Sequence, residues 1–287
     1  MRRGEPRGAD LEQLLAERHL IEPAALRFLD EGEAELAIEL AAHTWRLWVI
    51  GGDAFEGLQV LRRLLDLDHS HTKWRVLTLY GAGLLAFRLG DVDSAAATNG
   101  VALQIASELD DPEALVLAHL AASRDAFDES DYELAQAHAT IAHELAHGFE
   151  AAMLQAPLHM LAQSTRMNGD FAGAAALFEA SLELNRQLGD VGMVVVEAHN
   201  LAHVELHLGN VAAARAHFEE AARLGSADDE YGQAMSVLNQ GALAFAEQQI
   251  DEARGALERA LAILGAAGIE PAVDDRREIE WLQRKLE

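Results

Sequence analysis

Cysteine is absent from the 287 residues. No disulfide framework, thiol nucleophile, thiolate zinc site or iron–sulfur cluster can be built without it, and a cytoplasmic setting is the expectation. Proline occurs 5 times and aromatic residues make up 6%. That scarcity leaves helices uninterrupted and deprives strands of the residue types they favour. Positive charge is also short: 22 Lys plus Arg stand against 48 Asp plus Glu, a formal charge of −26. Such a chain repels a polyanion, so binding to nucleic-acid phosphates is disfavoured. No run of about eighteen apolar residues occurs, and no apolar stretch follows MRRGEPRG, so neither a membrane span nor a secretory leader is expected.

What the sequence has in excess is alanine, 55 residues, and arginine, 20 residues against Lys73 and Lys285 alone. Alanine is the strongest helix former and lets helix backbones approach closely. An all-helical fold follows as the expectation.

Repeats decide which helical fold. A small residue followed by Asp or Asn recurs at Gly52-Asp53, Gly90-Asp91, Ser130-Asp131, Gly169-Asp170 and Gly209-Asn210, with Gln248-Gln249 in sixth place, at spacings of 38 to 40 residues. Seven residues upstream stand Trp45, Gly83, Ser123, Ala162, Ala202 and Gly241; five downstream stand Gly57, Ala95, Ala135, Ala174, Ala214 and Ala253. Four further on come Leu61, Asn99, Ala139, Phe178, Phe218 and Leu257. A small residue on a first helix, then small and bulky residues on a second, with a turn between, is what a tight antiparallel helix pair requires.

In these positions, best in GNVAAARAHFEEAARLG (209–225), the sequence resembles the tetratricopeptide repeat. It departs from that pattern in a period near 39 rather than about 34, in Trp45 at a small position, and in Glu205 where an aromatic residue is usual. Phrases such as FAGAAALFEASLELNRQLGDVG (171–192) further resemble the helical sensor region at the C-terminal side of bacterial signal-transduction ATPase transcription regulators, over residues 30 to 265. That family joins its repeats to an NTPase and a DNA-binding domain. Neither GxxxxGK[ST] nor a separate basic segment is present, so neither activity carries over. The expected organisation is a right-handed α-solenoid: a disordered arm at 1–8, capping helices at 9–31, six repeats over 32–270, and a C-terminal capping helix at 271–287. The last has Ile279, Leu282 and Leu286 on one stripe.

The resemblance implies a concave groove lined by the first helices. Among the thirty residues at its facing positions, even scatter of the 48 acids would place about five (48 × 30/287); the two present are Glu39 and Asp128. Four arginines lie there, Arg46, Arg88, Arg124 and Arg166, whose planar donor forks suit carboxylates or phosphates. Tyr80, His159, Gln163, His199, His203 and His207 are the expected polar contacts, and Phe87, Phe127 and Phe245 the apolar wall. Internal salt bridges and ordinary core packing explain the same residues without a ligand.

His199, His203 and His207 follow one helical stripe at i, i+4 and i+8. Two of them with His159 could hold a metal; all three on one ion could not, because i and i+8 lie about 12 Å apart at roughly 1.5 Å per residue. His143-Glu144-Leu145-Ala146-His147 matches HExxH, yet falls where the repeat already explains a helix end. The expected function is therefore a regulatory binding module for a peptide, a protein, or a small anionic or amphipathic ligand, with no nucleic acid, membrane or cofactor. The alternative is an enzyme acting on a small molecule in the same His- and Arg-lined groove, with metal assistance or with Asp128 beside Arg124 as its acid–base group.

Overall fold

The computed structural model describes residues 9–226 and 229–287; the arm expected at 1–8 lies outside them. Every regular element among the described residues is helical. In chain order they are α1 (Ala9–Glu17), a 3-10 turn (Arg18–Leu20), α2 (Ile21–Asp30), α3 (Ala34–Thr44), α4 (Arg46–Gly51), α5 (Ala54–Leu67), α6 (Lys73–Arg88), α7 (Val92–Leu109) and α8 (Pro112–Asp128). There follow α9 (Tyr132–Ala146), α10 (Ala151–Met167), α11 (Phe171–Leu188), α12 (Val191–His207), α13 (Val211–Leu224), α14 (Glu230–Ala246), α15 (Ile250–Ala267) and α16 (Val273–Leu286). The chain divides into two compact units, Met1–Pro157 and Leu158–Glu287. No helix is long and apolar enough to cross a membrane among the described residues.

Local chemistry explains why each pair turns where it does. Gly52, Gly90, Ser130, Gly169, Gly209 and Gln248 all have positive φ, between 65° and 88°. A left-handed residue there lets its own amide and the next reach back to the helix just ended: Gly90 N donates to the Phe87 carbonyl and Asp91 N to that of Ala86. The following residue is the N-cap of the second helix, which begins one position later. The side chains of Asp91, Asp131 and Asp170 accept from the amides of Ser94, Leu134 and Gly173, satisfying donors that a helix start leaves open. Stop and start signals are thus adjacent residues.

Within each unit the small positions are close-approach positions. A Cβ on Gly83 would fall 2.0 Å from Asn99 Oδ1, so the buried Asn99 amide fits because that glycine has no side chain. In the first pair, the large residue Trp45 interrupts the first helix, separating α3 from α4. Space for the two indoles comes from elsewhere: a Cβ on Gly81 would meet Trp45 at 2.6 Å, and one on Gly57 would meet Trp48 at 2.5 Å. In the second unit Phe178, wholly buried, packs with Ala162, Leu182 and Leu201, and Phe218 packs with Ala202 and Ala214.

Helix α16 is amphipathic in an unusual way. Ile279, Leu282 and Leu286 enter a core cluster with Met235 and Leu238 of α14 and Leu257 and Leu264 of α15. Asp274, Asp275 and Glu278, on the adjoining stripe, are buried as well. Three buried carboxylates on one short helix demand partners, because an unpaired charge out of water is very costly.

Candidate functional site

Those partners are the first helices of the second unit. From α10, Gln163 Nε2 donates to Asp274 at 2.6 Å and Arg166 donates to Glu278 at 2.6 Å, with Asp274 a further 3.9 Å from its guanidinium. From α12, His199 Nε2 lies 2.9 Å from Asp275 and His207 Nε2 lies 3.1 Å from each Glu278 oxygen. His203 Nδ1 stands 3.5 Å from Glu278. From α14, the Tyr231 hydroxyl donates to Asp275, and Phe245 meets Trp281 of α16 edge-on at 5.6 Å between rings. Trp281 also packs edge-on against His207.

A second layer orients the first. Asn239 Nδ2 donates to His199 Nδ1, and Asn239 Oδ1 accepts from His203 Nε2 at 3.0 Å, so one amide ties the two imidazoles together. Asn200 Oδ1 accepts from Arg166 at 2.8 Å. His159, also on α10, bonds through Nδ1 to Glu197 of α12, which in turn accepts from Ser181 Oγ at 2.6 Å. Burial, Coulomb attraction and hydrogen bonding act together on this cluster. Burial raises Glu278, but Arg166 and His203 outweigh it and hold the carboxyl well below its ordinary range. Burial likewise raises Asp275, while His199 and Tyr231 bring it down to about 2. Burial lowers His203, with Glu278 opposing, and the net direction is down.

Six of the seven groove residues predicted in this unit therefore come together on the chain's own helix α16, and the seventh, His159, bonds Glu197 of α12. Arg166 and His203 are each 1% exposed. The nitrogens proposed for a metal are engaged otherwise: His199 uses both on protein partners, His203 gives Nε2 to Asn239, and His159 gives Nδ1 to Glu197. Among the described residues no group of three His, Cys, Asp or Glu is placed to hold a metal ion. At the C-terminal end of α9, the rings of His143 and the capping residue His147 are 4.7 Å apart, and no third ligand completes them within that set.

The first unit has a different surface on its first helices. Arg124 of α8 donates to the Tyr80 hydroxyl of α6 at 2.8 Å and lies over its ring, while Arg46 stacks on Trp45. Arg88, Phe87 and Asp128 are exposed, and Phe127 is half-buried against Tyr132. These seven residues are spread along α4, α6 and α8 and do not converge on one enclosed point. Sequence reasoning missed Tyr231, Asn239, Glu197, Asn200 and the three α16 acids. The acids resemble any of the 48 in the chain and Tyr231 carries no local signal, whereas Glu197, Asn200 and Asn239 lie within three residues or one repeat of His199.

Helix pairs with left-handed turns and close-approach small residues define a tetratricopeptide-like fold. No protein-family model matches the chain, and no curated protein matches it. Solved structures do. The chain is similar to a protein chain of the APC/C hetero-tetramer Cut9–Hcn1 (TM-score 0.65, 16% identity, 99% of this chain and 50% of that one). It is also similar to PilF of Pseudomonas aeruginosa (0.56, 17%, 88% and 99%) and to a tetratricopeptide repeat protein from Parabacteroides merdae (0.52, 15%, 96% and 99%). At such identities the likeness is one of fold.

Proposed function

We propose that the chain is a protein-interaction module whose first-helix faces take up acidic, amphipathic helical segments. One observation carries this reading: in the second unit that face already holds an amphipathic helix, net neutral as a whole, whose inward stripe sets three carboxylates against Arg166, His199, His203 and His207. Laying an amphipathic helix on a groove is a general mode of peptide recognition, and Arg is well suited to carboxylates. In the first unit Arg46, Arg88 and Arg124, with Phe87 and Phe127, offer the same pairing of positive charge and apolar surface to a partner's segment. The likeness of the repeats to sensor regions of signal-transduction ATPase regulators supports a regulatory setting. The chemistry equally admits a small anionic or amphipathic ligand, for which the same arginines would be the anchors.

Fluorescence anisotropy with a labelled acidic amphipathic helical peptide tests the reading. Arg88→Ala and Arg124→Ala should each weaken binding by about five- to tenfold, the loss expected for a charged hydrogen-bond partner worth roughly 1–1.5 kcal/mol at a partly exposed site. Affinity unchanged in both variants would refute it.

A further inference from the structure

We propose that the groove of the second unit, formed by α10, α12 and α14, is a docking site for an amphipathic helix of a partner protein that turns an acidic stripe inward, and that α16 is its resident, displaceable occupant. The site is built for carboxylates held at helical spacing. Asp274 and Asp275 are adjacent and Glu278 follows three residues after the second. Each meets its own donors: Gln163 for Asp274, His199 and Tyr231 for Asp275, Arg166 and His207 for Glu278. The partner helix is thereby specified by pattern: two consecutive acids, an acid three residues on, and apolar residues one, four and eight beyond that, where α16 has Ile279, Leu282 and Leu286.

Three features make α16 an occupant rather than a fixed part of the core. First, its fit leaves donor capacity unused: Arg166 Nε is buried in the site without a hydrogen-bond partner. Native interiors rarely leave such a donor unmatched, and a carboxylate placed slightly differently could accept from it. Second, docking must dehydrate Arg166 and Glu278, and release rehydrates both. The charged half of the interface therefore adds much less to holding α16 down than its short contacts suggest, and selects for pattern instead. Third, α16 is joined to α15 through residues 268–272, and its outer face, Glu280, Gln283 and Arg284, is exposed. It can leave without withdrawing any other helix.

Tethering gives α16 an effective concentration on the order of millimolar, against which a partner must compete. The proposal extends the interaction-module reading to the second unit and rests on that reading only for its general mode. A labelled synthetic peptide of residues 269–287 and the full chain test it by fluorescence anisotropy. Glu278→Gln in the chain weakens its own α16 and leaves the groove residues intact, so it should bind the peptide at least about tenfold more tightly than the unaltered chain does. Arg166→Met should abolish that gain. Equal peptide affinity for the unaltered and Glu278→Gln chains overturns the proposal. Hydrogen exchange of the unaltered chain gives a readout independent of any variant's folding. The α16 amides should open well before those of α12 and α14, and sooner still with excess peptide; exchange together with α12 and α14 overturns it. A concentration-dependent doubling of mass in light scattering, lost on Glu278→Gln, would also overturn it by making a second copy's α16 the occupant. None of these outcomes depends on Arg88 or Arg124, so failure of the first-unit site is read separately.

Discussion

Arg166 and Glu278 offer a quantitative test of how the second unit is held together. Both side chains are almost wholly buried, at 1% and 3% exposure, and joined at 2.6 Å. Removing one partner strands the other charge, a loss of about 3–5 kcal/mol in comparable pairs. Here each survivor keeps some support: Glu278 retains His207, and Arg166 retains Asn200 with Asp274 at 3.9 Å. The lower end applies, so Arg166→Met and Glu278→Leu should each cost about 3 kcal/mol. The double variant replaces the pair with apolar groups of similar bulk and leaves Asn200 and His207 to find new partners, a cost of about 2 kcal/mol. The singles sum to about 6, so the coupling is about 4 kcal/mol, within the range measured for close charge pairs. Urea unfolding followed by far-UV circular dichroism measures all four proteins. If releasing α16 costs less than about 2 kcal/mol, both singles and the double reach the same ceiling, which is still far from additive. A double variant as damaged as the two singles combined would refute the coupling of Arg166 to Glu278.

Acidification should act on the same cluster. His203 faces Glu278, His199, Arg166, Asn239 and Phe218, and its pKa is lowered on folding. The unfolded chain then binds the proton more readily, so this stability is complete above the ordinary imidazole value of about 6.5 and is lost as pH falls below it. Asp275 and Glu278 are depressed too, so their contribution holds above about pH 4.5 and is lost as pH falls toward about 2, the value to which Asp275 is held. The urea midpoint should fall between pH 7 and 5.5, and less steeply in His203→Gln; identical slopes in the two proteins would show that His203 is not responsible. At the turns, Ser130 and Gln248 occupy left-handed positions held by glycine in four other pairs. Ser130→Gly and Gln248→Gly should each stabilise by about 0.5 kcal/mol, the relief of left-handed strain less the added unfolded-state freedom of glycine. A lower melting temperature in either variant would contradict that account.

The helical pairs are legible in the sequence because their causes are local. A left-handed residue followed by a capping Asp or Asn ends one helix and starts the next within two positions, and the small residues seven before and five after follow from the close packing those turns allow. Trp45 reads as a departure from the pattern because its compensation, Gly81, lies 36 residues on, in another pair. The clustering of Arg and His on first helices is legible for the same reason: one periodicity sets the helix face.

What that face binds was settled by tertiary structure. Gln163 and Asp274 are 111 residues apart, Arg166 and Glu278 112, and His207 and Glu278 71. The apolar stripe of α16 reads as a cap, and Ile279, Leu282 and Leu286 do pack on α14 and α15. Its acids read as solvated, like most of the 48 in the chain. Nothing local distinguishes a carboxylate that will face water from one that will meet a buried guanidinium. That difference is made by the surface the helix lands on, once the chain returns across helices folded more than seventy residues earlier.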